Sequence, residues 1–486
     1  MATRKILIIL ILILAAGLRL FRLGTNPPGL SWDEAAIGWN AKTIWEMRLD
    51  EYGTHLPWSF KSFGDYKAPL YIYLTAPVVG LLGASEVSIR LLSVVAGVVS
   101  IYLIYLIALE IGNWQMGITA SMFLAVTPWH LLMSRPALEP NLALSFILLT
   151  IYFFIKARKI PVYFIFSGLS AGLSLYSYQS PKIFLPILGI GLILIYCREI
   201  FTKRNLIWLA AAAVGLILLI KPIINDWSKG GSARFEGTTI FYRQNTKPLP
   251  VLISNYFVHF SPGFLFSGGN IPRIQLKQTG LLLLLGAPFL LLGLRELWYQ
   301  RRQKWAKLLL WWLLVGPVPA MIGFEAPHPI RAFNWLPALV LITALGLGKF
   351  KYKSIAVCLL IINFIFATRD YFLAYPIYSA QDWQYGYKQV AAIAREYEDR
   401  VDKIIISSYY GQPYIFTYWY QSRKPQAVFW GGMSKYLFRE IKWGSDHLLP
   451  NSLIIGSPED IPGDSSGIIK EINFPDGQVA FRVVKT

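Results

Sequence analysis

Ser31-Trp32-Asp33-Glu34-Ala35-Ala36-Ile37-Gly38-Trp39-Asn40 sets two adjacent carboxylates between tryptophans, directly after the first apolar run of the chain. Glu34–Met47 reads as an amphipathic helix with Ile37, Ala41, Ile44 and Trp45 on one stripe. That pattern places Asp33 and Glu34 at a helix start on a membrane surface. Loop carboxylates are usually just solvated, but the Trp32 and Trp39 rings suit a partly dry site. There a carboxylate can act as general base on an acceptor hydroxyl.

Outward from this stretch the chain is mostly membrane. Of its 486 residues 55% are hydrophobic and 15% charged, and the mean hydropathy is +0.46, too apolar for a soluble protein. The 17 Trp and 27 Tyr suit membrane–water interfaces. A net charge of +19 is accounted for by basic cytoplasmic loops, and no basic stretch sits on a soluble module, so nucleic-acid binding is excluded. Two cysteines, Cys197 and Cys358, are too few for a disulfide framework or a zinc site.

Eleven apolar runs read as spans: Ile6–Leu23, Val87–Ile111, Gly117–Met133, Asn141–Ile155, Val162–Tyr178, Ile183–Tyr196, Leu206–Ile220, Leu281–Leu294, Leu308–Gly323, Ala332–Leu347 and Ile355–Thr368. With flanks, each approaches the required length of about 20 residues. The first is read as an uncleaved span, because the run extends to Leu23 and many more follow. Basic segments at Lys156–Lys159, Arg198–Arg204, Arg295–Lys307 and Lys349–Lys353 belong on the cytoplasmic side, with Arg4 and Lys5. The other loops, including Lys221–Gly280, are then external.

A twelfth run, Pro69–Gly83, would break this parity if it crossed. Leu70–Leu82 is therefore read as a second interfacial helix, within a first external loop covering 24–86. The expectation is an α-helical polytopic module over 1–370, N-terminus cytoplasmic, probed from outside by a small soluble α/β domain over 371–486. In that tail Gln384–Glu398 has helical composition, and Lys403–Ser407, Ser452–Ile455, Gly467–Ile472 and Val479–Val484 read as strands. A prokaryotic plasma membrane is the expected location.

Polar residues collect on the external side. Asp65 and Lys67 share the first loop; Lys67 reads either as a snorkelling lysine or as a charge for a lipid phosphate. Arg19 and Arg22 end the first span and read as snorkelling. Ser134–Pro140 keeps Arg135 and Glu139 at the outer edge, either as a surface ion pair or as groups for an acceptor or a cation. Lys182 adds another cation. His259 reads as structural or as an acceptor- or cation-binding group, and His328 and Arg331 stand at a span mouth, where arginine's planar fork suits phosphate oxygens. A nucleotide-binding motif in a credible context is missing from the sequence, so an enzyme of this face needs a donor already outside. A lipid-linked donor fits.

The pattern resembles GT-C glycosyltransferases of the protein O-mannosyltransferase and aminoarabinose transferase superfamily, the phospholipid-carrier-dependent family 39. The resemblance rests on Arg19-Leu20-Phe21-Arg22-Leu23 with Pro28-Gly29-Leu30-Ser31-Trp32-Asp33-Glu34-Ala35, on Lys67-Ala68-Pro69-Leu70-Tyr71, and on Ser134-Arg135 with Glu139-Pro140. Phe260-Ser261-Pro262 with Leu265-Phe266 and Gly268, and His328-Pro329-Ile330-Arg331, are similar to later family segments. It covers Ile6–Leu347. It implies a GT-C fold with two juxtamembrane helices, and transfer from a polyprenyl-phosphate sugar to an acceptor (protein, lipid or glycan) on the non-cytoplasmic face, with inversion. Asp33 is then the catalytic base, Glu34 its support, and Lys67 and Arg331 neutralise the leaving phosphate. Glu139 stands where the family often has Asp, and Ala68 where it has Pro. A divalent cation is the one cofactor left open. The competing readings are a transporter or flippase of lipid-linked saccharides, against which the nearly charge-free spans argue, and a receptor or scaffold.

Overall fold

In the computed structural model, which describes residues 2–226, 233–242 and 248–486, Ser31 caps the helix the sequence points to. Its Oγ accepts the amide of Glu34, and the Glu34 carboxylate accepts the amide of Ser31 in return. This reciprocal cap satisfies two donors that a helix start leaves open. The helix runs Trp32–Met47 (α2), after α1 at Ala2–Leu20. A hairpin follows, Phe60–Ser62 (β1) antiparallel to Asp65–Lys67 (β2), and leads through Ala68 into Pro69–Leu82 (α3), whose proline sits in the first turn where its missing N–H costs nothing. Glu86–Ile111 (α4) and Trp114–Val126 (α5) open the run of helices that continues to Arg369.

All eleven expected spans contain a helix, but only five helices among the described residues are long and apolar enough to cross a membrane. Prolines shorten several others. α5 stops before Pro128, and the helix expected from Leu281 starts at Ala287 with Pro288 in its first turn. Lys304–Val315 ends ahead of Pro317 and Pro319. Each proline removes a backbone donor and crowds the preceding turn. The assembly is an integral membrane protein. Residues 227–232 and 243–247 of the Lys221–Gly280 segment lie outside the described residues.

The basic loops gather at the end of α4 away from α2. Lys156 pairs with Glu110 at 2.6 Å, Arg158 with Glu199 at 3.1 Å, and Lys349 with Glu296 at 2.9 Å.

One expectation changes: the apolar stripe of α2 faces protein rather than lipid. Ala35, Ile37, Trp39, Asn40, Thr43 and Ile44 are all buried, because α2 is packed between α3, α4 and the C-terminal domain. Only Trp45 on the expected stripe is half exposed, and its indole lies over Gly80 of α3, where a Cβ would come within 2.2 Å. The last helix runs on through Asp370 to Tyr378.

Beyond it, Tyr387–Tyr397 precedes a five-stranded sheet of Lys403–Ser407 (β3), Tyr436–Arg439 (β4), Ser452–Gly456 (β5), Ile468–Asn473 (β6) and Val479–Lys485 (β7). The order is β4-β3-β5-β7-β6, with β4, β3 and β5 parallel and β7 antiparallel to both β5 and β6. Side chains alternate across a strand. Ile404 and Ile406 therefore enter a core shared with Ile37 and Trp39 of α2 and with Phe416 and Trp419, while Ile405 packs on the other face with Ile454 and Ile461. The contact is close at Gly38, where a Cβ would sit 2.8 Å from the Trp419 ring and 3.0 Å from Ile89. Gly38→Val is expected to cost about 1–3 kcal/mol by overpacking this seam. The measurement is the thermal midpoint of the purified protein, together with faster proteolysis of the C-terminal domain.

Candidate active site

The cap that starts α2 also sorts its two carboxylates. Glu34 turns inward and is fully buried. Its Oε1 accepts Nε of Arg90 at 2.9 Å and the amide of Ala137 at 2.8 Å, and its Oε2 accepts a second Arg90 nitrogen at 3.0 Å. Arg90, also buried, donates its remaining bonds to the carbonyls of Leu23, Pro27 and Gly29. Every acceptor site facing Arg90 is thus filled, which is what makes a buried pair tolerable. Asp33, one residue earlier, points the other way. It is part-exposed and forms an ion pair with Lys67 of β2, whose side chain is almost completely buried and lies over the Phe63 ring at 5.5 Å. Asp65 lies two residues from Lys67, hence on the same face of the strand. Arg273 stacks on Trp32 at 4.9 Å.

A cavity of about 470 Å³ adjoins this face, lined by Tyr178, Lys182, Thr238, His328 and Arg331 among others. It is connected to the Lys67 strand in two ways. The Ala233–Thr238 helix lies against β2, and the Leu70 amide at the start of α3 donates to the carbonyl of Tyr176 at 3.1 Å. Glu325, which also lines the cavity, approaches both His328 and Arg331, at 3.8 and 3.7 Å, too far for a tight pair. Glu139 starts the helix Glu139–Ala157 and is nearly buried; the loop before it gives the Ala137 amide to Glu34.

Two expected ligand groups are committed to the backbone instead. Arg135 is buried and spends its guanidinium on the carbonyls of Leu18, Arg19, Phe21 and Asn26, with Tyr371 and Phe372 rings at 5.3 and 5.0 Å. It ties the end of α1 down through its two terminal nitrogens, while its Nε is buried without a partner. His259 is buried as well: Nδ1 donates to the Asn255 carbonyl at 2.6 Å and Nε2 accepts the His328 amide at 3.2 Å. A carbonyl only accepts, so the ring is neutral, and burial pushes its pKa down to about 4. It supports the His328 loop. Arg19, expected to snorkel, is instead fully buried against His130 at 2.7 Å and the carbonyls of Ala15 and Ala125. Among the described residues no three His, Cys, Asp or Glu side chains gather as a metal set, so the acidic residues of this face do not form a cation cage.

The structure adds Glu51, which the sequence reading passed over in a run of loop polar residues. Its amide is held by Asn40 Oδ1 at 2.9 Å, and both carboxylate oxygens are out of contact with solvent. Burial raises its pKa to about 7, against the pull of the Asn40 amide and the Lys67 ammonium. Tyr414 and Tyr418 of the C-terminal domain lie close enough to feel its charge, and Tyr414 also meets Phe63 at 6.0 Å. The C-terminal domain therefore roofs the Lys67 side of the site.

The arrangement is a carboxylate–lysine pair at the start of α2, with a cavity carrying Lys182 and Arg331 packed near the same hairpin. Comparison with known proteins bears on the fold. A profile described as dolichyl-phosphate-mannose-protein mannosyltransferase matches residues 66–224, less than half of the chain. The chain is similar to ArnT from Cupriavidus metallidurans in the apo state (TM-score 0.59, 11% identity, covering 98% of this chain and 97% of that one). The undecaprenyl phosphate-bound form of ArnT gives TM-score 0.60 at 10% identity, with the same coverage. The oligosaccharyltransferase AglB from Archaeoglobus fulgidus, in complex with an inhibitory peptide and a dolichol-phosphate, gives TM-score 0.55 at 14% identity over 94% of this chain and 69% of that one. A search of curated proteins finds no match. The chain therefore shares the fold of ArnT over nearly the whole length of both chains, and that of AglB over most of its own.

Removing one partner of the Arg90–Glu34 pair leaves a buried charge alone, which typically costs about 3–5 kcal/mol. Arg90→Met and Glu34→Gln are expected to lower the thermal midpoint sharply. A raised Glu51 pKa favours the folded state at low pH, with that contribution present below the ordinary carboxylate range and lost as pH rises through about 7. The fall in melting temperature between pH 5 and pH 8 is therefore expected to shrink in Glu51→Gln.

Proposed function

We propose that the protein transfers a sugar from a polyprenyl-phosphate donor to an acceptor hydroxyl on the non-cytoplasmic face, with inversion. The observation that carries this reading is the part-exposed Asp33 carboxylate, paired with Lys67, beside a cavity lined by Lys182, His328 and Arg331. Asp33 takes the proton of the acceptor hydroxyl as that oxygen bonds to the anomeric carbon. The bond from this carbon to the phosphate oxygen breaks, and its electron pair leaves with the lipid phosphate.

Arg331 and Lys182 stabilise the charge that grows on the leaving phosphate, usually the largest single catalytic term. Lys67 holds Asp33 in line and adds a third positive charge. Glu34 has a positioning role: locked to Arg90, it fixes the start of α2 and thereby Asp33. With the neighbouring carboxylate so committed, Asp33 works without a paired nucleophile on its own turn, which favours a single displacement and hence inversion. The gathering of basic loops at the opposite end of the bundle supports an external site.

The test supplies purified protein with a panel of polyprenyl-phosphate sugars and follows transfer or hydrolysis. Asp33→Asn is expected to lose at least about 100-fold in rate, the range of general-base catalysis, with insertion and thermal midpoint unchanged. Arg331→Gln is expected to lose about 100-fold or more through the leaving group. Full activity of a normally folded Asp33→Asn protein would sink the proposal.

A further inference from the structure

A second set of cavities, sharing no lining residue with the one at Arg331, runs along a different flank of the bundle. At the end away from Asp33, the turn between α4 and α5, the end of the Leu336–Lys349 helix and the start of the Lys353–Arg369 helix enclose about 680 Å³. Asn113, Gln115 and Gln300 line this space together with Lys349 and Lys353. It shares Thr119, Leu347 and Val357 with an apolar cavity of about 500 Å³ beside α5. That cavity in turn shares Leu14 and Phe364 with a third of about 580 Å³, which reaches Phe21 and Arg369. The shared walls make the three one groove between α1, α5 and the Lys353–Arg369 helix.

The groove has the shape and polarity of a membrane amphiphile. The 17-residue helix along it is about 25 Å long at 1.5 Å per residue, close to the roughly 30 Å hydrocarbon core of a bilayer. Leu14, Met122, Val357 and Ile361 are exposed along its length, so it opens sideways to lipid. Its polar end carries net positive charge. Lys349 is matched by Glu296 at 2.9 Å, while Lys353 has no carboxylate partner among the described residues and begins a helix whose first turn has no side-chain cap. A phosphate at this end meets the ammonium groups, and a hydrocarbon chain covers the apolar slot that water fills only at a cost. By the positive-inside reading this end faces the cytoplasm, on whose leaflet anionic lipids concentrate.

We infer that the groove binds an anionic glycerophospholipid of the bilayer, with its headgroup phosphate at Lys349 and Lys353 and an acyl chain between α1, α5 and the Lys353–Arg369 helix. The site needs neither Asp33 nor the donor cavity.

Native mass spectrometry of the full-length protein, exchanged in turn into phosphatidylglycerol, phosphatidylcholine, polyprenyl phosphate and inorganic phosphate, tests this. Phosphatidylglycerol is expected to stay bound through detergent removal where phosphatidylcholine does not. The Lys349→Gln/Lys353→Gln double variant is expected to weaken retention about 30-fold, from the contribution of two lysines near an anionic lipid. Val357→Trp, which fills the slot and keeps both charges, is expected to lose retention too. Equal retention of phosphatidylcholine, unchanged retention in either folded variant, tighter binding of polyprenyl phosphate than of phosphatidylglycerol, or binding of inorganic phosphate as strong as that of the lipid would each overturn the inference. Folding of the variants is read from their thermal midpoints in the same preparation.

Discussion

The Arg90–Glu34 pair is the contact on which the face bearing Asp33 depends. A buried guanidinium costs heavily unless each of its donors is used, and this one uses them on a carboxylate from α2 and on three carbonyls of the Leu23–Gly29 turn. One side chain of α4 therefore fixes the exit of α1, the entry of α2 and, through the Ala137 amide on the same carboxylate, the loop before Glu139. Asp33 gains its orientation from this anchoring: with residue 34 locked inward, residue 33 of the same helical turn faces Lys67 and the open side.

The buried arginines at the end of α1 follow this rule in part, each leaving its Nε unpartnered. Arg19 and Arg135 are both buried close to one another, and what makes this tolerable is a set of backbone carbonyls freed where α1 ends and the chain turns. Their roles are architectural, and they account for ionisable groups near the membrane without calling on transport.

Helix positions were legible in the sequence because apolar runs and basic loops are local signals. So were the strands of the tail: Lys403–Ser407 is found as expected, and Val479–Val484 is extended by one residue. The hairpin around Gly64 and the proline breaks within the spans were less visible, since they depend on turn geometry and on single residues inside apolar runs. Parity put Asp33, Lys67, His328 and Arg331 on one side of the membrane; in the structure Asp33 and Lys67 pair with each other, and His328 and Arg331 line a cavity that includes neither of them. What could not be read was which polar residues are already bonded. Arg135 and His259 looked available, because backbone groups that take up their hydrogen bonds have no side-chain signature. Glu51 was missed for a related reason: its burial comes from Tyr414 and Tyr418, more than 350 positions later.

That distance along the chain has a consequence for biogenesis. α2 leaves the ribosome early, yet the residues that cover Ile37, Gly38 and Trp39 belong to the last quarter of the sequence. Until Phe416 and Trp419 arrive, the helix bearing Asp33 has an uncovered apolar flank. Contacts so far apart in sequence close slowly, and an intermediate with this surface exposed is prone to mispairing. The helix bearing Asp33 is thus completed last although it is made first, so a chain shortened at its C-terminus would insert its spans and still leave this helix unfinished.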